Sequence, residues 1–567
     1  MSYEGEYAVV SPAGRFGGSA ITRAQGVPTL SGKRIGFVWN HLFRGDLMME
    51  QILAAVRQEW HEVVFVDHPA FGNFHGPEEP KVMDQLPARL KEAEVDAVVI
   101  GVGACGSCTP AVMRACAVAE REGIPAVGLI AEGFVRQAEA IGRALGLADK
   151  VIARYPGVVM TDGLDTFHRK VGESMVPEAM DGLLRRAEAT DDSSSESADP
   201  YRPEQVVFTG TLEAVQRYFE DRLWSDGLPI LPPTLDAIAN MLAHTTRDPH
   251  EVLGVALPAN QEATVWNVAV NAVMSGCDPR HLPMLLAAVE SILDPRFGIE
   301  HGGCTPGWEP FALISGPDLG ELGFNSSTAS LRLGTRANST IGRFLRMFFH
   351  NVAGLVGPPG ATDKATFGAP THVALAENEE VTRELGWPTL REEQGFAPED
   401  TTVAVQSVVG FSLPIYTEGE TVDEHLRVLA EHIAGASGHW SHTGLTFKEW
   451  QPLLVMSPGI ATVFARNGYS KDDIRRELGE RARVPWSQWI GCTTAVGLQV
   501  SDLEERLVDG TARDAYRESD DPDRLVPVIP FPERLAIVVN GDSARNQSKY
   551  YVNNHVHGPR IPTRVRW

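Results

Sequence analysis

The chain has 567 residues and a formal net charge of -24, with 43% hydrophobic and 22% charged residues. That length argues for two or three domains with substantial cores, and an acidic balance of this size excludes nucleic acid and anionic membrane as partners, because both repel it. No run approaches about 18 uninterrupted apolar residues, so no membrane span is expected. The opening Met1-Ser-Tyr-Glu-Gly-Glu6 lacks the basic-then-apolar layout of an export signal, and six cysteines in so long a chain do not make a disulfide framework. A reducing cytoplasm is therefore the expected setting.

Residues 1–29 read as an N-terminal extension and 30–188 as the first domain. Short β-like runs at 33–39, 62–66, 96–100, 126–130 and 150–153 alternate with amphipathic helical patterns at 47–60, 81–93, 110–122 and 135–145. Alternation at this spacing implies βαβ units, hence a parallel, doubly wound sheet of the flavodoxin or Rossmann kind. Ligands of such sheets bind beyond the carboxyl ends of the strands, here Asn40, His68, the Cys105–Thr109 loop and Glu132. Residues 189–203 are polar, serine-rich and aperiodic, and read as a linker. The remainder, 204–567, reads as a larger mixed α/β domain, open to further division. Helical patterns lie at 211–223, 265–274, 282–293, 337–352 and 422–434, and β-like runs at 311–315, 372–376, 402–408 and 535–539.

The loop Gly103-Ala-Cys105-Gly-Ser-Cys108-Thr-Pro110 carries the strongest chemical signal. It follows a buried strand and opens a helix for which Thr109 is the expected N-cap and Pro110 the first residue. Unpaired N–H groups at a helix mouth favour thiolate over thiol, and the thiolate is the nucleophile. With C-x-x-C spacing, the second sulfur can resolve a bond made by the first. A structural zinc site would want two more close ligands, and the chain has no second C-x-x-C. Gly101, Gly103 and Gly106 also spell G-x-G-x-x-G, but Glu132 lies 26 residues beyond Gly106 rather than about 20, and Pro110 starts the helix late. NAD(P) is accordingly the weaker reading, and a bound metal is weaker too. The chain has neither a G-x-S-x-G elbow nor a Walker A loop.

Elsewhere the signals are thinner. Arg336 and Asn338 stand at the start of a helical pattern, where a guanidinium suits a carboxylate or phosphate. Cys277 reads as a packing cysteine, whereas Cys304, in another Cys-Thr-Pro start, shares part of the character of Cys108. His439/His442, His555/His557 and His425/His432 have pair spacings that 17 histidines also produce by chance. The run Ala376-Glu-Asn-Glu-Glu380 reads as an exposed acidic loop.

Cys105-Gly-Ser-Cys-Thr109, the helix ending Ala119-Glu-Arg-Glu-Gly-Ile-Pro125 and the strand leading to Glu132-Gly-Phe134 resemble the UGSC family, over roughly residues 30–180. That family is named for a selenocysteine-Gly-Ser-Cys motif in which many members carry cysteine. The resemblance places Cys105 at the selenocysteine position and Cys108 at the resolving position, and implies thiol-based redox chemistry. Thr109-Pro110 stands where Thr-Ser is expected, a departure that leaves the cysteines undisturbed. The larger region resembles an uncharacterised partner of such proteins, through Trp224-Ser-Asp-Gly-Leu-Pro-Ile-Leu-Pro-Pro-Thr234 and Asn271-Ala-Val-Met-Ser-Gly-Cys277. No activity attaches to it by resemblance.

These signals lead to a cysteine-dependent redox enzyme acting on a small carboxylated electrophile. Cys105 is the expected nucleophile and Cys108 the resolving thiol, with Glu132 or His68 moving protons. Asn40, Gly106, Ser107, Thr109, Arg336 and Asn338 are the expected substrate contacts. Thioredoxin or a low-molecular-weight thiol would be the reductant, and a homo-oligomer is compatible with the sequence. Two alternatives stay open: a lyase or group transferase with a covalent cysteine intermediate, and a thiol-based sensor of electrophiles or soft metals.

Overall fold

The computed structural model describes residues 5–17, 21, 24–76, 78–147, 151–184, 202–369, 373–491, 514–516 and 518–567. The expected linker thus lies outside the described residues except for Arg202 and Pro203, as do His372 and the His439 side chain. Among the described residues no helix is long and apolar enough to cross a membrane.

Strand β1 (Tyr7–Val10) precedes the first domain, which then runs β2 (Arg34–Trp39), α1 (Gly45–Glu59), β3 (Val64–Val66), α2 (Glu79–Glu92) and β4 (Ala97–Gly103). It continues through α3 (Cys108–Arg121), β5 (Ala126–Ala131), α4 (Val135–Ala144), β6 (Ile152–Tyr155), α5 (Leu164–Lys170) and α6 (Val176–Leu184). All five sheet strands are parallel and ordered β3-β2-β4-β5-β6. This is the doubly wound order whose switch point falls between β2 and β4. β4 is buried along all seven residues, as a central parallel strand covered on both faces must be. On one face Met48, Met49, Ile52 and Val56 of α1 pack with Val99, Val127 and Leu129. On the other, Val82, Leu86 and Leu90 of α2 and Val112 and Cys116 of α3 pack with Val98, Ile100 and Ile130.

The expected strands and helices of this domain are all present, displaced by a few residues at their ends. One boundary matters for the chemistry. α3 starts at Cys108 rather than Pro110, and its N-cap is Ser107, whose side chain makes no cap bond. The Cys105 carbonyl accepts both the N–H and the hydroxyl of Thr109, at 3.1 and 2.9 Å, which closes the first turn early.

The larger unit is built on an eight-stranded mixed sheet. Its main path runs Leu375–Ala376, Glu309–Ser315, Thr402–Phe411, Gln547–Asn553, Leu453–Met456 and Ala536–Val539. Helix Val265–Ser275 is buried at every residue, and with Leu282–Leu293 and Arg336–Asn351 it forms the principal core. Described parts of residues 1–29 pack against both units. β1 pairs antiparallel with β7 (Val206–Gly210), and Val9 and Val10 are fully buried beside Val215, Phe219 and Ile238. The chain then crosses back, so that Val27 and Leu30 enter the core of the first domain. Ala376–Glu380 is not an exposed loop either: Glu377 and Glu379 are buried, the latter paired with Arg391 at 2.6 Å, and both accept from Ser315.

Candidate active site

The loops at the carboxyl ends of β2, β3, β4 and β6 converge on a cavity of about 460 Å³, and the larger unit closes it. From the first domain come Leu42, Phe43, His75, Ala104, Cys105, Ser107, Cys108 and Val158–Thr161. The larger unit contributes Thr305, Pro306, Thr366, Trp440, Phe447, His555 and Val556. At Gly106 the loop packs directly against the Gly303–Cys304 backbone of the larger unit. A Cβ there would sit 2.0 Å from the Gly303 carbonyl oxygen and 2.9 Å from Cys304 Cα, so any side chain would push the loop off its cover. Gly106→Ala is expected to cost about 1–3 kcal/mol as overpacking. A thermal melt checks it, together with faster alkylation of the reduced Cys105 as the cover loosens.

Cys105 and Cys108 are joined as a disulfide, with Cα atoms 5.2 Å apart. The loop treats its sulfurs unequally. Cys105 is half-buried, and its Sγ accepts the backbone N–H of Cys108 at 3.0 Å and lies 3.4 Å from the Ser107 hydroxyl. Cys108 is buried in the first turn of α3. The helix-mouth N–H that favours a thiolate is therefore aimed at Cys105, which is also the more accessible sulfur.

His75 is the imidazole of this site, and the sequence reading missed it. The loop after β3 is anchored by the fully buried Phe71 and Phe74, and Asn73 Oδ1 accepts the His75 N–H at 3.0 Å. A ring nitrogen of His75 and the two sulfurs all lie within 4.8 Å of one another. His75 Nδ1 faces Glu79 Oε2 at 3.2 Å, and that oxygen is equally 3.2 Å from His301 Nε2 of the larger unit. Arg114 of α3 closes onto the other carboxylate oxygen. Burial works against the charged carboxylate, but His301 and Arg114 outweigh it and hold Glu79 well below the usual range. Burial holds His75 below its ordinary value despite Glu79. For His301 burial acts in the same direction, yet the Glu79 charge wins and raises it.

Of the other residues expected at the site, Ser107 lines the cavity, while Gly106 and Thr109 shape the loop. The rest are engaged elsewhere. Asn40 is fully buried and spends its amide on the Val102 backbone, donating to O at 3.0 Å and accepting from N at 2.7 Å. His68 meets the Trp39 ring edge-on and lies 3.2 Å from His41. Glu132 is exposed at the end of β5. Arg336 donates to the carbonyls of Gly276 and Cys277, closing the end of a helix rather than meeting an anion. Asn338 is fully buried between Asn325 and Ala374. The glycine fingerprint has a packing role: Gly101 and Gly103 lie inside β4, and Gly106 is pressed against Gly303.

The remaining thiols described, Cys116, Cys277 and Cys304, are buried. Cys304 accepts from Asn554 Nδ2 at 3.0 Å, Cys277 donates to the Thr340 carbonyl, and burial pushes both up to about 12. His555 lines the cavity, and His557 is buried beside Asn554. Burial first, then neighbouring histidines, lowers His555 to about 3. Its folded value is depressed, so the unfolded chain binds the extra proton first and stability falls as pH drops below the ordinary value of 6.5. At pH 5 this amounts to about 2 kcal/mol from His555. Urea midpoints at pH 7 and pH 5 check it, with a smaller difference expected in His555→Gln.

No curated protein matches the chain. Among known families, the segment that carries the parallel sheet and the Cys105–Cys108 loop, residues 8–185, matches the UGSC family.

Proposed function

We propose that this protein is a thiol–disulfide enzyme that passes two electrons from the Cys105–Cys108 pair to a small electrophile. Cys105, as thiolate, attacks the electrophilic centre, and the pair of electrons leaves with the group it displaces. Cys108 then attacks Cys105, releasing the reduced product and leaving the disulfide. A dithiol such as thioredoxin resets the pair by exchange, becoming a disulfide itself. His75 takes the thiol proton, and Glu79 fixes its tautomer and steadies the imidazolium that forms.

One observation carries this reading: the accessible sulfur, Cys105, accepts the first N–H of a helix inside a cavity closed by a second unit. The described lining has hydroxyls at Ser107, Thr161, Thr305 and Thr366 beside Leu42, Phe43, Met160 and Phe447, and it contains no Lys or Arg. We therefore favour a compact, largely apolar substrate with a hydroxyl or carbonyl group. The carboxylated substrate expected from Arg336 loses its support, since that guanidinium is spent on a helix end.

The test uses the full chain, reduced and freed of reductant, against small disulfides and activated electrophiles. Turnover should consume two thiols per product and lower the protein mass by about 2 Da as the disulfide forms. Product formed with both thiols retained would favour a non-redox lyase or transferase instead.

A further inference from the structure

We propose that, once the disulfide is reduced, Cys105, Cys108 and His75 form a three-ligand site for a divalent cation of the zinc class. Its fourth position would open onto the cavity. The inference shares the cysteine pair with the proposed function, but requires only that the disulfide be reducible.

The donor atoms are already assembled. The two sulfurs and a His75 ring nitrogen lie within 4.8 Å of one another, on loops that follow β3 and β4, two strands of one sheet on either side of β2. Two thiolates and one imidazole make a soft-to-borderline set that selects zinc over magnesium or calcium, and three protein ligands leave a position for water or substrate. The sequence objection to zinc was the lack of further ligands near the C-x-x-C. Folding supplies one from 30 residues upstream.

The surroundings of His75 match what a metal-bound imidazole needs. Its Nδ1 faces the Glu79 carboxylate at 3.2 Å, which leaves Nε2 for the sulfur side. Such a carboxylate–histidine pair fixes the ring orientation and the tautomer of a metal ligand. Glu79 is itself held by Arg114 and by His301. The cluster His75–Glu79–His301 is also compact, but there the carboxylate is already bound to the Arg114 guanidinium, a cation that would repel a metal. Glu79 thus suits the outer position and the sulfurs the inner one.

The balance is simple. A dithiol or phosphine reduces the disulfide with two electrons and two protons, and the cation then displaces two thiol protons to solvent while the sulfurs stay reduced. Metal binding and disulfide formation exclude each other, so a bound cation would shield the pair from oxidation and reserve it for metal-dependent chemistry.

The experiment takes the full-length protein, reduced with a phosphine and desalted without oxygen, and titrates it with Co²⁺ and then Zn²⁺. Expected are one Co²⁺ per chain with thiolate-to-cobalt charge-transfer absorption, displacement by Zn²⁺, and alkylation of both cysteines slowed at least about tenfold. The disulfide form should give no such band. His75→Ala and Glu79→Gln should weaken binding by about 10–100-fold or more, and His301→Gln should keep the band. Equal binding by the oxidised and reduced wild-type protein, or no cobalt–thiolate band in the reduced one, would overturn the proposal without requiring any variant to fold. So would a band that survives Cys105→Ser or Cys108→Ser unchanged. Thiol consumption by the metal-free reduced enzyme is read separately, so redox turnover and metal binding can fail independently.

Discussion

Replacing Cys105 by serine is expected to lower turnover by about three orders of magnitude or more, because a hydroxyl offers no comparable nucleophile at neutral pH. Cys108→Ser should behave differently. Cys105 would still attack, yet nothing would release the adduct, so a single turnover would leave a covalent product at Cys105. Intact mass and peptide mapping after one exposure to substrate separate the two variants. The assignment rests on the asymmetry of the loop: Cys105 is half-buried and accepts the Cys108 N–H, whereas Cys108 is buried within the first helical turn. Helix proximity taken from sequence alone would have made Cys108 the more acidic thiol. The geometry redirects that field, since the helix-mouth N–H of Cys108 points away from its own sulfur and onto its neighbour's. Alkylation of Cys108 ahead of Cys105, with loss of activity, would reverse the roles.

The parts of this site legible in sequence are those encoded locally. Strand–helix alternation gave the parallel sheet, and the carboxyl-end rule led to the Cys105 loop, because both depend on periodicity within about 15 residues. His75 carried no such signal. It stands in a loop with no fixed spacing to the cysteines, and His68, nearer the strand end, looked the better candidate. Glu79 sat in Glu78-Glu79-Pro80-Lys81, which reads as an ordinary solvated helix start. Only the approach of Arg114 and of His301 from the larger unit makes it a buried anion. The pairing of β1 with β7 was invisible for the same reason, since nearly 200 residues separate its partners. Glu377 and Glu379 show the converse error. A run of acids reads as surface, yet Arg391, itself fully buried, and Ser315 partner Glu379 while Ser315 and a nearby Lys471 face Glu377.

His75→Ala is expected to lower the rate of thiol attack by about 10²–10⁴ at pH 7, the usual range for a positioned general base. Its pH profile distinguishes this role from a structural one. Burial keeps His75 below its ordinary value of 6.5, so the wild-type imidazole is neutral and able to take a proton throughout the neutral range. The wild-type rate should then stay flat from neutral pH upward and fall only in acid. Without His75, Cys105 must ionise to solvent, and the rate should climb with pH as the thiolate fraction grows. The deficit of the variant should therefore shrink as pH rises. A constant deficit at every pH would mean that His75 only packs the cavity. Glu79→Gln should slow attack by at least about tenfold, since the amide no longer stabilises a charged His75. It also leaves Arg114 and His301 with the more distant Glu300 as their remaining counter-charge, at a cost of about 3 kcal/mol. Loss of stability in Glu79→Gln, beside retained stability and an altered pH profile in His75→Ala, is the pattern that a supported base predicts.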